Sequence, residues 1–228
     1  MVEAVAVMPT RVWEDPAMDE VRAFRKRYNE TGVWMSTFWL GTQVLKCPLD
    51  LWVYQEILSR TRPDVIVETG TWAGGSALFL ASICDLLGAG RVITIDIEER
   101  GDRPTHPRIT YVTGSSVEAE VVAGIRGEIG ADDTVMAILD SDHSKEHVLA
   151  ELRAYAPLVS DGCYLIAEDT AAPEMVPPVP DADPLAAVNE FLAENQAFTV
   201  DKDCEKFLLT SQPGGYLRRR PGGDPRPG

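Results

Sequence analysis

The chain has 228 residues and a formal net charge of −15, and 45% of its residues are hydrophobic. This size predicts one α/β domain with a helical extension, large enough to bury a core. The acidic balance argues against nucleic acid as a partner, and no apolar run approaches the ~20 residues that span a membrane. The four cysteines match no metal-binding spacing, which predicts reduced thiols in a cytoplasmic protein.

The first 60 residues are predicted to form an N-terminal helical cap. A polar stretch from Pro16 to Asn29 has apolar residues at helical spacing, and an aromatic-rich run follows at 34–41. A second helix is expected from Leu51 to Ser59, with Asp50 as its N-cap and Pro63 ending the region. The aromatic run is interpreted either as packing of the cap onto the domain or as a lid over a substrate.

Residues 61–212 alternate between predicted strands and helices, and the Pro/Gly/Arg-rich residues 213–228 are predicted to be a flexible tail. The predicted strands are 64–69, 91–97, 108–113, 134–140, 162–168, 197–203 and 206–211, and the helices are 75–87, 117–129, 145–156 and 184–195. This alternation predicts a mostly parallel, doubly wound sheet. The last two strands are separated by residues 203–205, too short for a crossover, which predicts an antiparallel hairpin.

The first of these strands ends in a glycine-rich turn that opens a helix, Glu68-Thr69-Gly70-Thr71-Trp72-Ala73-Gly74-Gly75-Ser76. Such a turn predicts a nucleotide-type site at the carboxyl end of the strand. Dinucleotide enzymes need G-x-G-x-x-G to cradle a pyrophosphate, and here Thr71 and Trp72 follow Gly70. The carboxylate of Glu68 would oppose a pyrophosphate but suits a cationic sulfonium. The pattern, with Gly74 and Ser76, resembles motif I of S-adenosylmethionine (SAM) methyltransferases.

Polar residues also follow the second and third strands of this region. Asp96 ends the second strand, where it can accept hydrogen bonds from both hydroxyls of a ribose. Dinucleotides and SAM both use such an acid, so Asp96 predicts an adenosine ligand without distinguishing between them. Ser115, after the third strand, is a candidate for lining the adenine.

Acidic residues and a histidine follow the fourth and fifth strands. The fourth runs into Asp140-Ser141-Asp142-His143 and the fifth into Glu168-Asp169. Because neighbouring parallel strands bring their carboxyl ends together, we expect four carboxylates and a histidine beside the cofactor. Carboxylates that close repel one another unless a cation lies among them, and oxygen ligands favour Mg²⁺. Asp142 fits equally well as a helix N-cap.

The glycine turn, residues 139–144 and residues 167–170 together resemble the cephalosporin hydroxylase/rhamnosyl O-methyltransferase family, relatives of macrocin-type sugar O-methyltransferases. The resemblance covers about residues 37–217. It implies a class I SAM-methyltransferase fold, Rossmann-like, with a seven-stranded sheet that is mostly parallel and ends in an antiparallel hairpin. It also implies Mg²⁺- and SAM-dependent methylation of a small-molecule hydroxyl, best matched by a deoxysugar of a glycosylated natural product, as in antibiotic biosynthesis.

Carried over by position, the resemblance makes Asp140, Glu168 and Asp169 the metal ligands, and Asp140 also contacts the cofactor. It suggests His143 as the base that deprotonates the acceptor hydroxyl, with Asp142 as a rival base. It further implies a homo-oligomer. Two alternatives remain, an oxidative role suggested by the name of part of the family and a non-catalytic SAM-fold partner subunit.

Overall fold

The structure of the chain is a computed structural model that describes residues 18–172 and 181–222. The beginning of the predicted cap and the end of the predicted tail lie outside these residues. The helices are α1 Met18–Thr31, α2 Pro48–Thr61, α3 Gly75–Leu87, α4 Ala119–Glu128, α5 Lys145–Tyr155 and α6 Pro184–Glu194. The strands are β1 Phe38–Trp39, β2 Thr42–Gln43, β3 Val65–Thr69, β4 Arg91–Asp96, β5 Ile109–Thr113, β6 Val135–Leu139, β7 Tyr164–Ala167, β8 Phe198–Val200 and β9 Tyr216–Arg219.

Seven strands form one sheet in the order β5-β4-β3-β6-β7-β9-β8. The first five pair in parallel, and β9 is antiparallel to both β7 and β8. Every residue of β3, β6 and β7 is buried, as expected of parallel strands covered on both faces. The predicted mostly parallel sheet with a C-terminal antiparallel hairpin is confirmed. The strand order reverses between β3 and β6, which places a crevice at their carboxyl ends.

The predicted position of the last strand is wrong. Residues 206–211 are described but form no strand, and β9 lies inside the segment assigned to the flexible tail. Leu208 has a φ of +67°, which breaks the extended conformation that the apolar run suggested. Thr210 and Ser211 donate hydrogen bonds of 2.7 and 2.9 Å to the carboxylate of Asp50. This segment therefore packs onto α2 through polar contacts.

Asp50 is not the N-cap of α2, contrary to the prediction. The helix begins at Pro48 and has Cys47 in the capping position. Asp50 is buried, and Tyr216 also donates to it at 3.0 Å. Burial raises the pKa of Asp50 to about 7, although its hydrogen bonds to Ser211 and Thr210 oppose this shift. The residue therefore connects the cap to the C-terminal segment.

One part of the aromatic run packs onto the domain, as the first interpretation expected. Trp39 packs edge-on against Phe79 of α3, with ring centroids 4.9 Å apart, and its indole donates to Ser82 at 3.0 Å. Phe38 and Leu40 in the β1–β2 hairpin are exposed.

The four cysteines are free and buried. Of the helices in the described ranges, none combines the length and apolarity that crossing a membrane requires.

Candidate active site

A cavity of about 710 Å³ lies at the carboxyl ends of the parallel strands, beside the point where the strand order reverses. Most of the residues predicted to bind the cofactor line this cavity, namely Gly70, Thr71, Ser76, Asp96, Ser115 and Asp140. Asp142, His143 and Asp169 also line the cavity, whereas Glu68, Gly74 and Glu168 are not part of its wall. The structure therefore brings both groups of predicted site residues to one cavity.

Two glycines of the turn allow close backbone contacts that a side chain would prevent. A Cβ on Gly70, whose φ is +82°, would lie 1.8 Å from the carbonyl oxygen of Asp140. A Cβ on Gly75 would lie 2.1 Å from the carbonyl oxygen of Gln43, in β2. The glycine turn is thus in direct contact with the loop after β6 and with the hairpin of the cap.

Glu68 lies buried beneath the turn. Its Oε2 accepts a 2.6 Å hydrogen bond from Thr94, whose hydroxyl is 2.7 Å from that of Thr71. Its Oε1 is buried and has no hydrogen-bond partner within the described part of the chain. Burial raises the pKa of Glu68 to about 7, although the ammonium of Lys46 opposes the shift. The unpaired oxygen thus lies behind the cavity wall, beneath the glycine turn, and not in the cavity itself.

Asp96 is held at the end of β4 by the neighbouring loops. Its Oδ2 accepts a hydrogen bond from the Trp72 backbone at 2.7 Å and lies 3.0 Å from Arg103 Nη2. Its Oδ1 accepts from the backbone of Glu98 at 3.0 Å. Arg103 also donates to the Trp72 carbonyl at 2.9 Å. Arg103 was not predicted from the sequence, and it joins the acid to the glycine turn.

Asp140, His143 and Asp169 form a compact group of side chains that could hold a metal ion. One ligand atom from each lies within 4.8 Å of the other two, and His143 Nε2 is 3.4 Å from Asp169 Oδ2. Burial raises the pKa of Asp169, while His143 opposes this shift. Two carboxylates and an imidazole are a donor set that divalent cations accept, with the carboxylates suiting Mg²⁺ or Mn²⁺. The residues present fit the predicted metal.

Glu168 lies outside this group because its carboxylate is engaged elsewhere. Its Oε1 accepts hydrogen bonds from Lys46 Nζ at 2.6 Å and from the Tyr54 hydroxyl. The same ammonium lies 2.7 Å from Asp140 Oδ2. Burial raises the pKa values of Asp140 and Glu168, and Lys46 opposes both shifts. Burial lowers the pKa of Lys46, but the two carboxylates outweigh it and raise that pKa overall, so the ammonium stays charged.

The two candidate bases have different surroundings. Asp142 is exposed and accepts a 2.7 Å hydrogen bond from the Ser144 backbone. The hydrogen bonds from Ser144 hold the pKa of Asp142 below its usual range, which makes it a weak base. The ring of His143 faces Asp169. The backbone carbonyl of His143 accepts a 3.0 Å hydrogen bond from the backbone N–H of Asp183. The geometry therefore groups His143, rather than Asp142, with the acids.

Further side chains contribute to the site, and of these Lys46 was missed from the sequence. His147 lines the cavity, with Nε2 3.1 Å from Ser116 Oγ and 3.2 Å from Ser141 Oγ. Ser141 in turn donates to the buried Glu151 at 2.6 Å. The one sequence signal for Lys46 is its position within the apolar run 44–48. A lysine buried with such a run would need an acidic partner, because charged side chains are rarely buried unpaired.

Comparison with known proteins identifies the family to which this chain belongs. Residues 31–220 match the family described as rhamnosyl O-methyltransferase/CmcI. The chain is 34% identical to rhamnosyl O-methyltransferase of Mycobacterium tuberculosis (strain H37Rv), over 96% of this chain and 93% of the relative. It is 33% identical to that of Mycobacterium leprae (strain TN), over 86% and 89%.

Solved structures agree with this assignment. The apo structure of CmcI superposes with a TM-score of 0.65 at 25% identity, over 82% of this chain and 77% of CmcI. A MycE methyltransferase structure with Mg and SAH has a TM-score of 0.51 at 18% identity, over 73% and 48%, and shows the fold alone. The resemblance stated from three motifs is thus confirmed. The chain belongs to the rhamnosyl O-methyltransferase/CmcI family and is a SAM-dependent O-methyltransferase.

Proposed function

We propose that this protein uses SAM and a divalent metal to methylate a hydroxyl of a deoxysugar on a glycosylated natural product. The observation that carries the proposal is one cavity that joins a SAM-type glycine turn to the group Asp140, His143 and Asp169. The names of the relatives support a rhamnosyl acceptor. MycE, a methyltransferase of the mycinamycin biosynthetic pathway and a neighbour by fold, was solved with Mg, SAH and mycinamycin VI.

The cofactor would occupy the end of the cavity formed by β3, β4 and β5. Gly70 and Thr71 give the ligand access to the backbone, and Asp96 would accept hydrogen bonds from the ribose hydroxyls. Ser115 would line the adenine. Glu68, buried behind the turn, would contribute negative charge toward the cationic end of the cofactor.

The metal would be held at the other end by Asp140 and Asp169, with Glu168 as the third ligand that the family resemblance implies. When bound, SAM supplies a methyl group on a cationic sulfur, and the metal lowers the pKa of the acceptor hydroxyl. His143 Nε2 would take the hydroxyl proton, since its ring lies at the cavity wall next to Asp169. Enclosure of both reactants by the cavity would provide much of the acceleration.

Replacing Asp96 with alanine should weaken SAM binding by about 1–3 kcal/mol, the scale of losing hydrogen bonds to a charged acceptor. Calorimetric titration of SAM measures this. Asp102→Ala is the matched control, because Asp102 lies in the same loop with its side chain 70% exposed. Unchanged SAM affinity in Asp96→Ala would place the ribose elsewhere.

The proposed activity is tested by incubating the protein with SAM, Mg²⁺ and a panel of rhamnosides, other deoxysugar glycosides and the matching sugar-free aglycones. Mass spectrometry should show a methylated glycoside formed in step with SAH, and no product from the aglycones. Methylation of the aglycones instead would contradict a sugar hydroxyl as the acceptor. Transfer to neither class would contradict the proposed substrate as a whole.

A further inference from the structure

Lys46 lies in the short segment between β2 and α2, and its ammonium lies behind the acidic group of the site. Nζ is 2.7 Å from Asp140 Oδ2 and 2.6 Å from Glu168 Oε1, and the side chain is 4% exposed. Such short contacts between ionised groups are stronger than ordinary hydrogen bonds. One cap residue therefore binds the carboxylates that β6 and β7 direct toward the proposed metal.

The backbone that carries Lys46 is fixed in place. Val44 donates to the Thr37 carbonyl at 2.9 Å, and the backbone of Lys46 donates to the Thr37 hydroxyl at 3.3 Å. Leu45 has a φ of +60°, a conformation that leucine adopts when its surroundings impose it. Val44 and Leu45 both line the cavity. The ammonium is thus a positive charge on a flexible side chain, attached to a rigid segment of the cavity wall.

The ammonium of Lys46 occupies one oxygen of each of two carboxylates that a metal ion would share. Glu168 Oε1 already accepts from Lys46 and from Tyr54, so it is not free to coordinate. A divalent ion beside Asp140 would also repel an ammonium a few ångströms away, because little water screens the charges in a buried site. Coordination through Glu168 Oε1 therefore requires that Lys46 move away.

We propose that Lys46 is a tethered cation that competes with the divalent metal for Asp140 and Glu168. With the ammonium in place, the available ligands are Asp140, His143 and Asp169. When it withdraws, Glu168 becomes available as a ligand, so that His143 is not needed to hold the metal and can act as the base. The proposal rests on the proposed function in that it requires metal binding, and it makes Lys46 a positioning residue.

The first test measures Mn²⁺ affinity by calorimetry in the wild-type protein and in Lys46→Met, which keeps the side-chain length without the charge. Affinity should rise by about 10–100-fold, because two charge-assisted hydrogen bonds no longer have to be broken. Lys145→Met is the matched control, since it removes a charge from a partly exposed pair with Glu190. Equal affinity of Lys46→Met and the wild type would overturn the competition.

A second measurement uses the wild-type protein, in case Lys46→Met does not fold. Acetic anhydride labelling followed by mass spectrometry reports how accessible each lysine is with and without Mn²⁺. Labelling of Lys46 should increase as Mn²⁺ saturates the site, while labelling of Lys145 stays constant. If Mn²⁺ binds and Lys46 stays protected, the proposal fails and the proposed function stands. If Mn²⁺ binds neither the wild type nor Lys46→Met, the metal dependence fails as well.

Discussion

EDTA-treated protein should lose methyl transfer by roughly 10³–10⁵-fold, and added Mg²⁺ should restore it, with Mn²⁺ as a working substitute. A sugar hydroxyl is a very weak acid, so a neutral base alone removes its proton poorly at neutral pH. Stabilisation of the developing alkoxide by a divalent cation amounts to several kcal/mol, and each ~1.4 kcal/mol is a factor of ten in rate. Full activity in metal-free protein would refute this role.

The same prediction extends to the proposed ligands. Asp140→Asn and Glu168→Gln should each abolish turnover and leave SAM affinity nearly intact, because both changes keep the side-chain shape and the backbone of Asp140 that contacts the glycine turn. Rates and calorimetric SAM titrations on the same samples measure both properties. Glu146→Gln is the control, since Glu146 is an exposed acid in the first turn of α5. Loss of SAM binding in step with turnover would indicate a damaged fold.

Replacing His143 with alanine should reduce kcat by roughly 10²–10⁴-fold, the range for loss of a general base, with much smaller changes in SAM affinity. The imidazole lies 3.4 Å from Asp169 and lines the cavity, so it can reach a hydroxyl held beside the acids. Steady-state kinetics with saturating SAM and Mg²⁺ measures the effect.

Asp142→Asn is the comparison that decides between the two candidate bases. Asp142 is exposed, and its hydrogen bonds from Ser144 lower its pKa, so this variant should keep kcat within a few-fold of wild type. A thermal melt of both variants controls for stability. Near wild-type kcat in His143→Ala together with a large loss in Asp142→Asn would assign the base to Asp142.

Local sequence signals predicted most of the sheet, and their failure at its edge has a physical reason. Apolar strands followed by polar turns identified β3 to β7. Of these, β3, β6 and β7 are fully buried and β4 mostly so, whereas β5 at the sheet edge is only partly buried, and the turn after each strand reaches the site. β9 was missed because its arginines resemble a charged tail. In the structure Arg218 points outward, and Arg219 pairs with Asp161 at 3.1 Å while covering the ring of Phe198. Long arginine side chains commonly cover apolar surface in this way.

The site was predicted where strand ends determine position and missed where distant segments meet. Asp96, Asp140 and Asp169 lie at or just after the carboxyl ends of strands of one sheet, so topology alone brings them together. Lys46 comes from the cap, far from these residues along the chain, and its ion pair with Glu168 depends on tertiary packing. The sequence argument expected a metal cation among the carboxylates, and in the structure the ammonium of Lys46 lies between two of them. The homo-oligomer and the division into domains stay predictions.

The order of strands at the far edge of the sheet affects how the chain folds during synthesis. β9 lies between β7 and β8 and pairs with both. β8 therefore has no partner strand until β9 has left the ribosome. During that interval the edge of β7 that will pair with β9 is open, and the strand consists of residues that are buried in the folded protein. Open apolar strand edges of this kind pair readily with other chains. A nascent chain that pauses before Tyr216 would therefore carry an aggregation-prone edge beside the strand that delivers Glu168 and Asp169.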